Sequence, residues 1–299
     1  MKLPFGKYKG RGIDVLKDDM GYAQWLLQQE WFSQKYPELY DAVVQLHEKE
    51  GSQQAKEALD AEKNILISFD LKHEKIDSFE KYPFLLPVVK HLERTVLDPH
   101  VTYIVGENGS GKSTLLEALA ITQGFNPEGG TTNFHFTTRP SHSVLYEYLR
   151  IAKTGKRAQT GFFLRAESFF NVATEIEELG VGDAYGGTPL HELSHGEGFL
   201  ALMRHRFGAN GLYILDEPEA ALSPARQMSI LTLIHELVKQ GSQFIISTHS
   251  PILLAYPHST IYEISQSGLK RMSYDETQTV QISRQFLNER DKMVDILLS

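Results

Sequence analysis

The nine residues GENGSGKST, residues 106–114, constrain the fold of this 299-residue chain more than any other stretch. They fit the pattern G-x-x-x-x-G-K-[ST] and stand between the apolar run VTYIV and the helix-forming run LLEALA. Glycines let the backbone N–H groups of such a loop turn inward around phosphate oxygens, and the following helix directs its positive dipole end at the same anion. The pattern therefore predicts a strand, a phosphate-binding loop and a helix in succession. The alternative is a glycine-rich turn that fits the pattern by chance.

This loop predicts ATP and Mg²⁺ as ligands. We expect the Lys112 ammonium to reach the β- and γ-phosphates and the Ser113 hydroxyl to bind Mg²⁺. The predicted nucleotide-binding residues here are Gly106, Asn108, Gly109, Ser110, Gly111, Lys112, Ser113 and Thr114.

Two further stretches place polar residues directly after buried strands. In LYILDEP, residues 212–218, Asp216 is predicted to bind Mg²⁺ and Glu217 to act as general base on the attacking water. In FIISTHSP, residues 244–251, His249 is predicted to face the γ-phosphate, because its strand follows the Asp216 strand after one crossover helix. The alternatives are an acidic helix cap for the first stretch and a purely structural histidine for the second.

The stretch LSHGEG, residues 193–198, begins another apolar helix. Ser194 and Glu197 have the spacing of a capping box, which by itself accounts for both residues. A helix N-terminus is also an anion site, so capping and phosphate binding are compatible.

Strands alternate with helices from residue 64 onward, which predicts an α/β fold with a mainly parallel sheet covered by helices on both faces. We expect residues 1–50 to form a separate small α+β module with glycine-rich turns and helical spacing, and the polar residues 51–63 to form a linker or an exposed helix. The net charge of −8 argues against a globally basic nucleic-acid-binding protein. The chain has no cysteine, no apolar leader and no run long enough to span a membrane, so we expect a cytoplasmic location.

The motifs GENGSGKSTLLEALA, LSHGEG, ILDEPEAALSP and ISTHSPIL, in this order, resemble those of the ABC-type ATPases. The similarity is to soluble P-loop members related to chromosome-maintenance and recombination ATPases. It implies an ATP-dependent homodimer in which Ser194, Gly196 and Glu197 contact the γ-phosphate of the ATP held by the other subunit. Only about 80 residues separate Lys112 from Ser194, so long coiled-coil arms are excluded.

The same family usually has a glutamine after a strand between the phosphate loop and the LSHGEG stretch. Here either Glu167, after the strand GFFLR, or Gln159, before it, takes that position. We expect Glu167, close to Mg²⁺ and water.

Residues 1–50 resemble the small domain at the C-terminus of exodeoxyribonuclease X-like proteins. Its basic residues alternate with Phe5 and Tyr8, which favours two interpretations equally: contact with a nucleic acid, or aromatic packing on the following helix. For the whole chain we expect an ATP hydrolase that acts on DNA, or drives a nuclease or toxin partner, in DNA repair or phage defence. The alternatives are the nucleotide-binding subunit of a transporter and a non-hydrolytic ATP-gated scaffold.

Overall fold

The computed structural model describes residues 1–17, 19–47, 64–131, 143–166, 169–178, 191 and 193–299. The chain divides into two compact units, Met1–Glu62 and Lys63–Ser299. The predicted linker, residues 51–63, and the predicted metal ligand Glu167 both lie outside the described residues.

The first unit is a turn region followed by helices. Backbone hydrogen bonds from Leu3 N to Arg11 O, 2.8 Å, and from Gly10 N to Leu3 O, 2.7 Å, close the glycine-containing turns. A 3₁₀ turn at Ile13–Lys17 then leads into α1 (Met20–Leu27), α2 (Glu30–Lys35) and α3 (residues 37–47). The unit has its own apolar core, made of Leu3, Leu16, Ala23, Leu26, Phe32, Leu39 and Val43.

The second unit contains nine described strands and eight described helices. The strands are β1 Leu66–Leu71, β2 Thr95–Val96, β3 Val101–Val105, β4 Leu149–Lys153, β5 Thr160–Arg165, β6 Gly211–Asp216, β7 Gln243–Ser247, β8 Thr260–Ser265 and β9 Gly268–Met272. The helices are α4 Pro87–Lys90, α5 Lys112–Thr122, α6 Leu145–Tyr148, α7 Phe169–Glu178, α8 His195–Arg206, α9 Pro224–Lys239, α10 Gln278–Asn288 and α11 Arg290–Leu298.

Six of these strands form the main sheet, in the order β5-β6-β7-β3-β8-β9. All neighbouring pairs in it are parallel except β8 and β9, which are antiparallel. The predicted α/β class with a mainly parallel sheet is therefore confirmed. Because parallel strands end at the same edge, the residues that follow β3, β6 and β7 come together there.

The apolar stretch ILISFDL does not join this sheet. It forms β1, which pairs antiparallel with β2 and β4 in a separate three-stranded sheet. A buried apolar run indicates a strand but does not specify the strand's partner, which is decided by contacts distant in sequence.

Apolar side chains of the main sheet alternate between two cores. On one face Tyr103, Tyr213 and Phe244 pack with α7, α8 and α9. On the other face Ile104 and Ile245 pack with α5 and with the three-stranded sheet. The helix after the phosphate loop, α5, and the helix that begins at LSHGEG, α8, thus lie on opposite faces of the sheet. In the described parts of the chain, no helix is both long and apolar enough to span a membrane.

Candidate functional site

The phosphate loop joins β3 to α5 as predicted, and α5 begins at Lys112. Gly111 has φ +101°, and a Cβ there would lie 2.7 Å from Val88 Cγ1, so both the backbone conformation and the available space favour glycine. Lys112 is 4% exposed, and its Nζ donates to Gly106 O at 2.8 Å and to Glu107 O at 3.1 Å. Burial lowers the pKa of Lys112, while the nearby carboxylate of Glu217 acts in the opposite direction.

Asp216 ends β6 and lies beside the first turn of α5. Its Oδ1 accepts hydrogen bonds from Ser113 Oγ at 3.2 Å and from Ser247 Oγ at 2.5 Å. Burial raises the pKa of this carboxyl, while the Ser247 hydroxyl and the Arg165 guanidinium act in the opposite direction. Ser113 and Asp216, the predicted magnesium ligands, are therefore in contact although 103 positions separate them in the chain.

Glu217 has a left-handed backbone, with φ 50° and ψ 54°. A non-glycine residue in this region costs about 1–3 kcal/mol, and here its N–H is held by Ser247 O and Ser247 Oγ, each at 3.1 Å. The carboxylate Oε1 lies 3.9 Å from Lys112 Nζ and 3.4 Å from His249 Nε2. Two other predicted site residues, each from a different segment, thus lie beside this carboxylate.

His249 follows β7, next to the strand of Asp216, as predicted. Its Nε2 is inaccessible to solvent and makes no hydrogen bond to the described residues, although Glu217 Oε1 is near. The backbone N–H of His249 donates to Glu219 Oε1. Glu219 is the third acid of the stretch DEPE and was not among the predicted site residues. Burial raises the pKa of its carboxyl.

Arg165 is a second residue that sequence reasoning missed. It ends β5 directly opposite Asp216 in the strand register, and its Nε lies 3.7 Å from Asp216 Oδ2. Its Nη1 donates to Glu117 Oε2, on α5, at 2.7 Å. Arg165 therefore ties the helix of the phosphate loop to the carboxylate at the end of β6. A lone arginine at a strand end gives no sequence signal for such a contact.

Tyr82 is a third such residue. Its ring is 60% exposed, and its hydroxyl lies 3.4 Å from Thr114 Oγ1, in the first turn of α5. An exposed aromatic ring beside a phosphate loop has a free face on which a base can stack.

The alternative position for the missing glutamine, Gln159, is wrong. Gln159 precedes β5 and its N–H bonds to Asn210 O at 3.0 Å, at the edge where β6 begins. The phosphate loop, Asp216 and His249 lie at the opposite edge, where β3, β6 and β7 end. The length of a full strand therefore separates Gln159 from the site.

Ser194 precedes α8, and Glu197 lies in the first turn of that helix, as the capping interpretation requires. Glu197 Oε2 accepts from Ser194 N at 3.1 Å and from Ser194 Oγ at 2.6 Å. These bonds hold the pKa of Glu197 below its usual range. Because α8 and α5 cover opposite faces of the sheet, Ser194 and Gly196 are not part of the constellation around Lys112.

In the first unit, the aromatic residues pack on the following helices. The Phe5 ring lies edge-on to Trp31, 4.8 Å between centroids, and Tyr8 lies edge-on to Tyr22 at 5.5 Å. Lys7 Nζ is 2.8 Å from Asp19 Oδ2. This geometry favours the packing interpretation of Phe5 and Tyr8 over base stacking.

The residues of the second unit fit ATP and Mg²⁺. The loop offers backbone N–H groups, one buried lysine and the buried hydroxyl of Ser110, whose Oγ has no hydrogen-bond partner among the described residues. Asp216 and Ser113 offer the oxygen donors that Mg²⁺ prefers. The chain therefore provides both a phosphate cradle and hard oxygen ligands at one sheet edge.

Two family models match the second unit. One, described as "AAA domain, putative AbiEii toxin, Type IV TA system", matches residues 181–255, and one described as "AAA domain" matches residues 68–160. An uncharacterized ABC transporter ATP-binding protein of Haemophilus influenzae is 28% identical over 60% of this chain and 75% of that protein. The energy-coupling factor transporter ATP-binding protein EcfA2 of Methanospirillum hungatei is 27% identical over 62% of this chain and 51% of that protein.

Two solved structures are also similar. CbiO1 of Clostridium perfringens, part of the ABC transporter complex cbiONQ, has a TM-score of 0.45 and 20% identity, and covers 75% of this chain and 95% of its own. The SMC head domain of Thermotoga maritima has a TM-score of 0.39 and 18% identity, and covers 69% of this chain and 98% of its own. The second unit is thus similar in sequence to AAA domains and to ABC transporter ATP-binding proteins, and its phosphate loop has the strand, loop and helix of a P-loop.

Proposed function

We propose that this protein is an ATP hydrolase that dimerises head to tail around two ATP molecules. The observation that carries the proposal is the position of Glu217, whose carboxylate lies between Lys112 Nζ and His249 Nε2 at the sheet edge that holds the phosphate loop. A carboxylate held there can take a proton from an attacking water. Lys112 and His249 are then placed to contact the transferred phosphate.

Mg²⁺ held by Ser113 and Asp216 would neutralise charge on the phosphates. The chain's own residues prepare this site before any ligand binds. Ser247 and Arg165 hold the Asp216 carboxylate, and the strained backbone of Glu217 directs its side chain toward Lys112. Such preorganisation lowers the reorganisation needed when charge develops during the reaction.

The separation of the two halves of the site supports the proposed dimer. Ser194, Gly196 and Glu197 begin a helix on the sheet face opposite to α5. A helix N-terminus with an exposed hydroxyl suits an anion, and the chain's own phosphate loop is on the other face. A second copy, related by a two-fold axis, would supply the phosphate and make the interface self-complementary.

Hydrolysis is tested with Glu217→Gln. We expect the ATP turnover rate to fall at least about 100-fold, because general base catalysis contributes about 10²–10⁴-fold. Binding of a fluorescent ATP analogue should persist, since the amide keeps the size of the side chain. Turnover of both proteins equal to the protein-free background would refute the hydrolase and favour the non-hydrolytic scaffold.

Dimerisation is tested separately with Ser194→Arg. The larger, charged side chain should block the ATP-dependent increase in mass seen by light scattering while binding of the ATP analogue to a single chain is kept. An ATP-dependent dimer of unchanged affinity would exclude Ser194 from the interface.

We propose that ATP binding and hydrolysis drive action on DNA, or activate a nuclease or toxin partner, in DNA repair or phage defence. Support comes from the family model whose description names a toxin and from the separate small unit that precedes the ATP-binding domain. Double- and single-stranded DNA should stimulate turnover, and deletion of residues 1–50 should remove that stimulation but keep basal turnover. Turnover that is independent of DNA and of those residues would contradict the DNA-directed form.

The second candidate function is the ATP-binding subunit of a transporter. It is favoured by the names of the relatives, several of which are transporter ATP-binding proteins. Co-purification with an integral membrane protein from detergent-solubilised membranes, together with turnover insensitive to DNA, would favour this candidate.

A further inference from the structure

Arg226, in the first turn of α9, contacts Ser194 and Glu197 at the start of α8. Its Nη1 donates to Ser194 Oγ at 3.2 Å, and its Nη2 donates to Glu197 Oε1 at 2.8 Å. The Arg226 side chain is only 34% exposed, whereas that of Glu197 is 51% exposed. One guanidinium thus joins two helices at the place where the proposed function needs a phosphate to bind.

Glu197 presents an electrostatic difficulty for that function. It is ionised at neutral pH, because the hydrogen bonds from Ser194 hold its pKa below the usual range. A carboxylate beside an incoming γ-phosphate repels it, and the repulsion grows as the approaching surfaces exclude water. A paired arginine offsets this charge, since its planar guanidinium can bond a carboxylate and keep a further N–H donor free.

Ser194 presents a second difficulty, because its hydroxyl has a single proton. In this structure the proton is donated to Glu197 Oε2. If Ser194 is to donate to a phosphate oxygen instead, the hydroxyl must leave that carboxylate. Glu197 then keeps two of its hydrogen bonds, one from Ser194 N and one from Arg226 Nη2. Arg226 therefore keeps the carboxylate bonded and in place while the hydroxyl turns away.

We infer that Arg226 is a positioning residue of the phosphate-binding half-site at the start of α8: it neutralises and holds Glu197 so that Ser194 can donate its proton to the ATP of a second subunit. This inference rests on the proposed head-to-tail dimer. It also explains how an acidic residue can occupy position 197 of the stretch LSHGEG, because the Arg226 guanidinium offsets the charge of Glu197.

The experiment is a double-mutant cycle on ATP-dependent dimerisation, measured by light scattering. All proteins carry Glu217→Gln, so that ATP stays intact during the measurement. We expect Arg226→Gln to weaken dimerisation about tenfold or more, as loss of a charge-assisted contact implies. Adding Glu197→Gln should restore the affinity to within about threefold of the Glu217→Gln parent. Arg204→Gln, at an exposed position on α8, removes the same charge and should have no effect.

Two further readouts separate positioning from folding. Thermal unfolding and binding of a fluorescent ATP analogue to the single chain should be unchanged in Arg226→Gln. Arg226→Lys keeps the charge but loses the paired donors, and it should fall between the parent and Arg226→Gln. A loss of dimerisation that follows a loss of thermal stability across these variants would show a purely structural role and overturn the inference.

Two other outcomes also overturn it. The first is an Arg226→Gln protein that dimerises like the parent, and the second is a double variant that stays as weak as Arg226→Gln alone. By contrast, a parent protein that binds ATP but never dimerises refutes the proposed function itself, and the inference falls with it. The parent measurement therefore distinguishes the two failures.

Discussion

Replacing Gln243 by methionine should destabilise the second unit strongly, because this one side chain joins its two sheets. Gln243 begins β7 and is 1% exposed. Its Oε1 accepts from Ile65 N at 3.1 Å and from Leu66 N at 2.9 Å. Its Nε2 donates to Leu66 O at 2.8 Å and to Asp98 O at 2.9 Å. Both lone pairs and both amide protons are thus used, and each partner is a backbone group.

The size of the effect follows from these four bonds. A typical hydrogen bond contributes about 0.5–1.5 kcal/mol net, so four give about 2–6 kcal/mol. Methionine has nearly the same length and recovers about 1 kcal/mol by burying an apolar side chain. Methionine cannot bond the backbone groups of Ile65 and Leu66, so these groups lose their Gln243 partner and stay buried. We therefore expect the free energy of unfolding to fall by about 1–5 kcal/mol.

Urea unfolding followed by far-ultraviolet circular dichroism measures this loss. Tryptophan fluorescence is unsuitable, because both tryptophans, Trp25 and Trp31, are in the first unit. Gln240→Met is the matched control, since Gln240 is exposed in the turn before β7. The control should change the free energy by less than about 0.5 kcal/mol. A loss below about 1 kcal/mol in Gln243→Met would refute the view that this side chain holds β1 against the main sheet.

Two other perturbations test the first unit and the site. Lys7 donates a hydrogen bond that helps to lower the pKa of Asp19 from 3.8 to about 2. The ionised Asp19 therefore stabilises the first unit above pH 4, and this stabilisation is lost as the pH falls toward 2. Tryptophan fluorescence should show this acid-dependent loss in the unsubstituted protein but not in Asp19→Asn, and identical profiles would contradict it. Tyr82→Ala should weaken binding of the ATP analogue about tenfold, because it removes the ring that stacks on the base. Tyr82→Phe keeps the ring and loses only the hydroxyl contact with Thr114, so it should bind like the unsubstituted protein. Equal losses in both variants would show that the hydroxyl contact matters and the ring does not.

The sequence alone determined the local parts of this protein. The strand before GENGSGKST, the helix that begins at Lys112 and the helix that begins after Ser194 all appear where the patterns predict them. The parallel order of the strands of Asp216 and His249 was also predictable, because one crossover helix connects them. Such features depend on periodicity, capping and short connections, and all three are properties of residues close together in the sequence. The resemblance of residues 1–50 to exodeoxyribonuclease X-like proteins stays a prediction.

Only the tertiary structure decided the contacts between distant segments. Nothing in the pattern around Arg165 or Gln243 indicates that one bonds Glu117 and lies beside Asp216, or that the other holds β1. The same holds for Arg226, which lies 29 positions from the Glu197 that it pairs with. A charged or polar side chain bonds whichever suitable group lies near it in the folded chain. The packing of the whole sheet determines which groups those are. The sequence therefore predicts the residues of the phosphate site, whereas only the tertiary structure shows which residues hold them in place.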